Sequence, residues 1–170
     1  MHFPLPGRAA ATFMRADAKA EISAGVPLSD RCVVNVSSTS GLHGNIGQVN
    51  YATAKAGVVG LTKTLAKEWG PLGIRCNAVA FGMISTRMTS SYGEEGGGET
   101  VEVRPGVRVQ QGIPDSVAKA WMNPQNISAT TPLARPGHPD EAAAGVMLMA
   151  SPYASYITGH TLEVTGGMGI

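Results

Sequence analysis

The stretch that decides the fold is Val33–Lys55, VVNVSSTSGLHGNIGQVNYATAK. It opens on an apolar run, Val33-Val34-Asn35-Val36, that reads as a buried strand, with Ser38 at its end. A Gly-rich loop follows, and Tyr51-Ala52-Thr53-Ala54-Lys55 lies in a helix-favouring segment. Residues four apart on a helix share one face, so Tyr51 and Lys55 stand together. Strand end, loop and helix start bring a hydroxyl, a phenol and an ammonium into one crevice. A free phenol holds its proton until about pH 10 and is a poor acid or base at neutrality. An ammonium within hydrogen-bond range favours the phenolate and draws proton release towards the working range. The spacing of Tyr51 and Lys55 by itself also fits a plain helix with a half-buried Tyr and a solvated Lys. The text around the pair separates the two readings.

Working outward, the Ala-rich segment from Arg8 to about Ser23 favours helix. A polar loop, Gly25–Asp30, leads into the strand Cys32–Val36, and Ser37–Gln48 reads as loop. A long helix is expected from about Asn50 to Trp69, with Val58, Val59, Leu61, Thr62, Leu65, Ala66 and Trp69 as its apolar stripe and Gly70-Pro71 as its stop. Ile74–Val79 is a strand, and Phe81–Arg135 is long and irregular. A stretch of that length inside a compact domain is usually a functional lid or disordered. Asp140–Met149 is a short helix whose acidic first turn suits the N-terminal dipole, and Thr161–Val164 is a last strand. Helices alternating with apolar strands predict an α/β fold with a parallel sheet. The expectation is one domain over residues 1–170, with a lid or substrate segment at about 83–132.

A length of 170 residues suits one domain with a sizeable core. A net charge of +1 gives no field pointing to nucleic acid or a membrane surface. Cys32 and Cys76, both on expected strands, read as small core residues rather than a disulfide or metal pair. His2, His43, His138 and His160 have no ligand partners at useful spacing, so no metal site is expected. No apolar run of spanning length and no charged-then-apolar leader is visible, which predicts a soluble cytoplasmic protein and leaves an organelle open.

The segment Val33–Lys55, with Ser38 thirteen residues before Tyr51, resembles the active-site segment of the short-chain dehydrogenase/reductase family. The likeness is greatest to its β-ketoacyl and acyl-CoA reductases, and runs from Arg8 onward outside a variable stretch between Tyr92 and Thr131. The resemblance implies a doubly wound, Rossmann-like parallel sheet and hydride transfer between NADP or NAD and a carbonyl or alcohol. It implies that Tyr51 is the proton donor, that Lys55 tunes the phenol and holds the nicotinamide ribose, and that Ser38 holds the substrate oxygen. Asn77–Thr86 resembles the segment after the family's sixth strand. That likeness implies that Ile84 and Thr86 meet the nicotinamide carboxamide, with Asn35 and Gly82 in the same cofactor-binding set. The family usually has Pro where this chain has Phe81. Gly41, Gly44 and Gly47 do not have phosphate-loop spacing, and the resemblance assigns them to the substrate loop. The substrate it implies is a 3-oxoacyl thioester, carried by acyl carrier protein or CoA, and the assembly a homo-oligomer, dimer or tetramer.

The same likeness predicts an absence. The Gly-rich turn that cradles the pyrophosphate at a helix N-terminus has no counterpart before Val33. The first strands of the sheet and a catalytic Asn are missing with it, so the chain reads as the C-terminal part of the fold. Val33–Val36 is then a central-type strand standing at a sheet edge, which invites pairing with another chain. Weak NAD(P) binding and self-association are the expected consequences. Two other readings stay open: a catalytically silent subunit acting through association, and a reductase of another ketone or alcohol, such as a steroid or sugar.

Overall fold

The computed structural model describes residues 6–87, 89–91, 98, 100–110 and 114–170. Its elements run α1 (Pro6–Ala24), β1 (Arg31–Ser38), α2 (Thr39–His43), α3 (Val49–Trp69), β2 (Ile74–Phe81), β3 (Thr100–Arg104) and β4 (Val107–Gln110), then α4 (Asp115–Trp121), α5 (Pro124–Thr130), α6 (Pro139–Ala150) and β5 (Thr161–Val164). The α/β class and the parallel sheet expected from the sequence are present. Three strands form the sheet in the order β1-β2-β5. Ala78 N–H donates to His160 O at 2.8 Å and Gly82 N–H to Val164 O at 3.1 Å. Donor and acceptor numbers rise together, as in a parallel pair.

The order of the strands explains their burial. In β2, with a neighbour on each side, every residue from Ile74 to Ala80 is buried. β1 stands at the edge, as the sequence reading expected, and Val36 is 45% exposed there.

Two expectations are corrected. The loop read over Ser37–Gln48 contains the last two residues of β1 and the short helix α2. The Ser38 side chain accepts the Ser40 N–H at 3.2 Å, satisfying a donor that the first turn of α2 leaves orphaned. The stretch Phe81–Arg135, read as irregular, carries α4, α5 and an antiparallel hairpin, β3–β4, in the register Thr100↔Gln110 to Arg104↔Val107. Pro105-Gly106 turns that hairpin, with Gly106 at φ 77°. Alternation over so few residues is a weak signal beside a glycine run, most of which lies outside the described residues.

The chain divides into two compact units, one running up to Ala80 with Gly145–Leu162, the other Phe81–Ala144 with Glu163–Ile170. In the first, Ala66, Trp69, Ile74 and Cys76 form the buried core, with Ala11, Met14, Val33, Leu65 and Leu72 packed on it. Thus α1, α3, β1 and β2 share one apolar centre. Both cysteines are free; Cys76 is buried, and burial pushes its thiol up to about 11, which keeps it un-ionised and inert. Arg75, nearly buried, donates to both Asp30 oxygens and to the carbonyls of Met149 and Ser151. It ties the start of β2 to the end of α6.

A second polar tie lies on α1. Glu21 accepts from Arg31 at 2.6 and 2.8 Å and from the Ser29 hydroxyl at 2.7 Å. The bond from Arg31, then those from Ser29, hold its carboxyl down at about 2, against an ordinary 4.5. A carboxylate lowered by folding adds stability above its unfolded value and loses it as pH falls towards the folded one. The melting midpoint is therefore expected to drop on acidification between pH 4.5 and 2. Glu21→Gln should flatten that drop, and an unchanged pH profile in the variant would remove this tie as its cause.

Candidate active site

Ser38, Tyr51, Lys55 and Asn35 all lie in the first unit. The first turns of α3 present Tyr51 and Lys55 on one face, with the Lys55 ammonium 5.7 Å from the centroid of the Tyr51 ring. That is cation–π range. Tyr51 is 46% exposed. Lys55 Nζ donates to the Val36 carbonyl at 3.0 Å, which anchors it to the end of β1. The Ser37 hydroxyl donates to the Lys55 carbonyl at 2.9 Å, a second tie between the same strand and helix. Ser38 is almost buried and caps α2.

What closes this arrangement is Gly41, whose importance the sequence reading missed. A Cβ at residue 41 would lie 2.6 Å from the Lys55 carbonyl carbon and 2.7 Å from the Lys55 Cβ. Only a hydrogen at that position lets α2 rest on α3 beside Lys55. The Ser40 hydroxyl donates to Gln48 Oε1 at 2.8 Å, bridging α2 to the residue before α3. Asn35 Nδ2 donates to Thr62 Oγ1 at 2.9 Å, which in turn donates to the Val58 carbonyl at 2.8 Å. In this structure the Asn35 amide therefore locks β1 onto the middle of α3.

Gly82, Ile84 and Thr86 belong to the second unit. Gly82 ends the run of β2, where a Cβ would meet the Thr165 Cα at 2.9 Å. Ile84 pairs in a parallel bridge with Gly137; Gly137 N–H donates to Met83 O and Ser85 N–H to Gly137 O, each at 2.9 Å. Glu141 fixes the approach of that second segment, accepting from Arg135 at 2.7 and 2.8 Å and from His138 N–H at 2.7 Å. Thr86 opens a turn whose carbonyl accepts the N–H groups of Thr89 and Ser90. Among the described residues, no group of His, Cys, Asp and Glu is placed to hold a metal ion, and no helix is long and apolar enough to cross a membrane.

Residues 30–96 match the family model described as short chain dehydrogenase, and residues 109–169 match one described as Enoyl-(Acyl carrier protein) reductase. The chain belongs to the short-chain dehydrogenase/reductase family. The first match contains Ser38, Tyr51, Lys55, Asn35, Gly82, Ile84 and Thr86. A 3-oxoacyl-(acyl-carrier-protein) reductase of Aquifex aeolicus is 40% identical over 136 residues, 80% of this chain and 44% of the relative. A (3R)-3-hydroxyacyl-CoA dehydrogenase of Mus musculus is 40% identical over 136 residues, 80% of this chain and 42% of its own. One of that same description from Canis lupus familiaris is 38% identical over 154 residues, 91% of this chain and 48% of its own. This member of the family thus spans less than half the length of the curated relatives it matches.

Proposed function

We propose that this chain carries the proton-transfer half of an NAD(P)-dependent oxidoreductase that reduces a 3-oxoacyl thioester, on acyl carrier protein or CoA, to the 3-hydroxyacyl form. The observation that carries the reading is the exposed Tyr51 beside the anchored Lys55 ammonium. Support for the substrate class comes from the relatives, whose names specify 3-oxoacyl and 3-hydroxyacyl thioesters.

In this reading the Tyr51 hydroxyl donates its proton to the substrate oxygen as charge builds there. Lys55 stabilises the phenolate left behind. Ser38 donates a second hydrogen bond to the same oxygen, since as the cap of α2 its hydroxyl only accepts and keeps its proton to give. Donors aimed at the developing oxyanion act most strongly in the transition state, which is where they accelerate the step. For a nicotinamide nucleotide, the reading gives the Lys55 ammonium of the first unit to ribose hydroxyls and, in the second unit taken by itself, the Ile84 backbone and Thr86 hydroxyl to the carboxamide. That cofactor supplies the hydride.

The test is NADPH or NADH oxidation driven by acetoacetyl-CoA. Turnover dependent on both nucleotide and thioester is expected. Its absence would sink the reductase reading and leave a subunit that acts through association, which the exposed edge of β1 favours.

A further inference from the structure

We infer that Thr89 is a positioning residue that sets the geometry of Ile84 and Thr86, and through them the nicotinamide end of the cofactor. The inference rests on the cofactor reading just proposed and extends it to a residue outside the expected site. The Thr89 hydroxyl accepts the Thr86 N–H at 2.8 Å. Its single proton is in range of the Ile84 carbonyl, at 3.0 Å, and of the Thr86 carbonyl, at 2.9 Å. Its oxygen also lies 3.4 Å from the Thr86 hydroxyl, the group assigned to the carboxamide. One hydroxyl therefore touches the backbone of both recognition residues and the side chain of one.

The turn has other supports, and among the described residues these act on the Thr86 carbonyl: it accepts the N–H groups of Thr89 and Ser90. Ser90 Oγ donates to the Thr86 carbonyl at 3.0 Å, which holds the turn closed but does not reach Ile84. On the opposite side Ile84 is pinned by its bridge to Gly137, where a Cβ would stand 2.7 Å from Ile84 Cδ1. Thr89 thus adds a bond to the Ile84 carbonyl beyond the bridge to Gly137, and it meets Thr86 at both its N–H and its hydroxyl.

A purely structural role for Thr89 would weaken every ligand alike. A positioning role weakens only the nicotinamide end. NADPH and NADH are titrated to millimolar concentration by saturation-transfer NMR, beside acetoacetyl-CoA and CoA, which lack nicotinamide. Thr89→Val is expected to lower dinucleotide affinity about fivefold, the worth of one net hydrogen bond, and to leave the nicotinamide-free ligands unchanged. Thr89→Ser, which keeps the hydroxyl, should restore wild-type binding, and this rescue holds even where Thr89→Val lowers the melting midpoint. Equal loss for both ligand types, no loss for either, no dinucleotide binding by the wild type, or no rescue by Ser would overturn the inference. Tyr51→Phe turnover separates the two claims. Turnover lost there with an unchanged Thr89→Val profile sinks the role of Thr89 alone. Turnover kept there, with selective dinucleotide loss in Thr89→Val, sinks the proton-transfer reading alone.

Discussion

Tyr51→Phe is expected to lose about a thousandfold in acetoacetyl-CoA-dependent turnover, the middle of the range that general acid catalysis contributes. At 1.36 kcal/mol per decade, that is about 4 kcal/mol of transition-state stabilisation. The substitution isolates the proton because little else changes. A Phe ring keeps the face on which the Lys55 ammonium sits, 5.7 Å from its centroid. Tyr51 is 46% exposed and no strong packing rests on it, so the melting midpoint should stay close to that of the wild type. Thioester KM should change far less than kcat, since the lost bond forms mainly as charge develops on the substrate oxygen. A variant that keeps a tenth or more of the turnover would remove the phenol from the chemistry.

Gly41→Ala is expected to be damaging although it adds one methyl group. That methyl would stand 2.6 Å from the Lys55 carbonyl carbon, 2.7 Å from the Lys55 Cβ and 2.8 Å from the Ala56 nitrogen, atoms of α3 that cannot swing aside. Overpacking of this kind typically costs about 1–3 kcal/mol, and Gly41→Val should exceed it. Relief requires α2 to lift from α3, which drags on Lys55 and on the Ser37 bond to its carbonyl. A misplacement near 1 Å at a catalytic group costs on the order of a hundredfold in rate, so turnover should fall well beyond the loss of folded protein. Denaturant midpoints and turnover measured on the same samples separate the two effects. Unchanged values of both in Gly41→Ala would show that α2 has room to move.

These two variants also show how differently the site is written in the chain. Tyr51 and Lys55 were legible because a helix places residues four apart on one face, whatever else surrounds it. The Ser38 spacing was legible from the strand end and the family likeness. The long helix and the strands around Ile74 and Thr161 came out within two residues at each end. Short-range periodicity and stop signals carry that information, and these segments are apolar enough to show it. Gly41 was read as loop because its requirement lies with Lys55, fourteen positions away and invisible to any local pattern. Thr89 was missed for a related reason. A threonine in a polar stretch has no distinguishing signature until the backbone brings two carbonyls and an amide around its hydroxyl.

By itself, then, the sequence determined the class of fold, the order of its main elements and the shared helix face of Tyr51 and Lys55, since each depends on contacts within a strand or a few helical turns. Tertiary structure alone decided that β2 takes the buried place between β1 and β5, that the apparent loop after β1 is a capped helix seated on Lys55, and that Thr89 braces Ile84. Those outcomes depend on which distant segments touch, and packing between them is settled by shape and hydrogen-bond satisfaction, neither of which has a period along the chain.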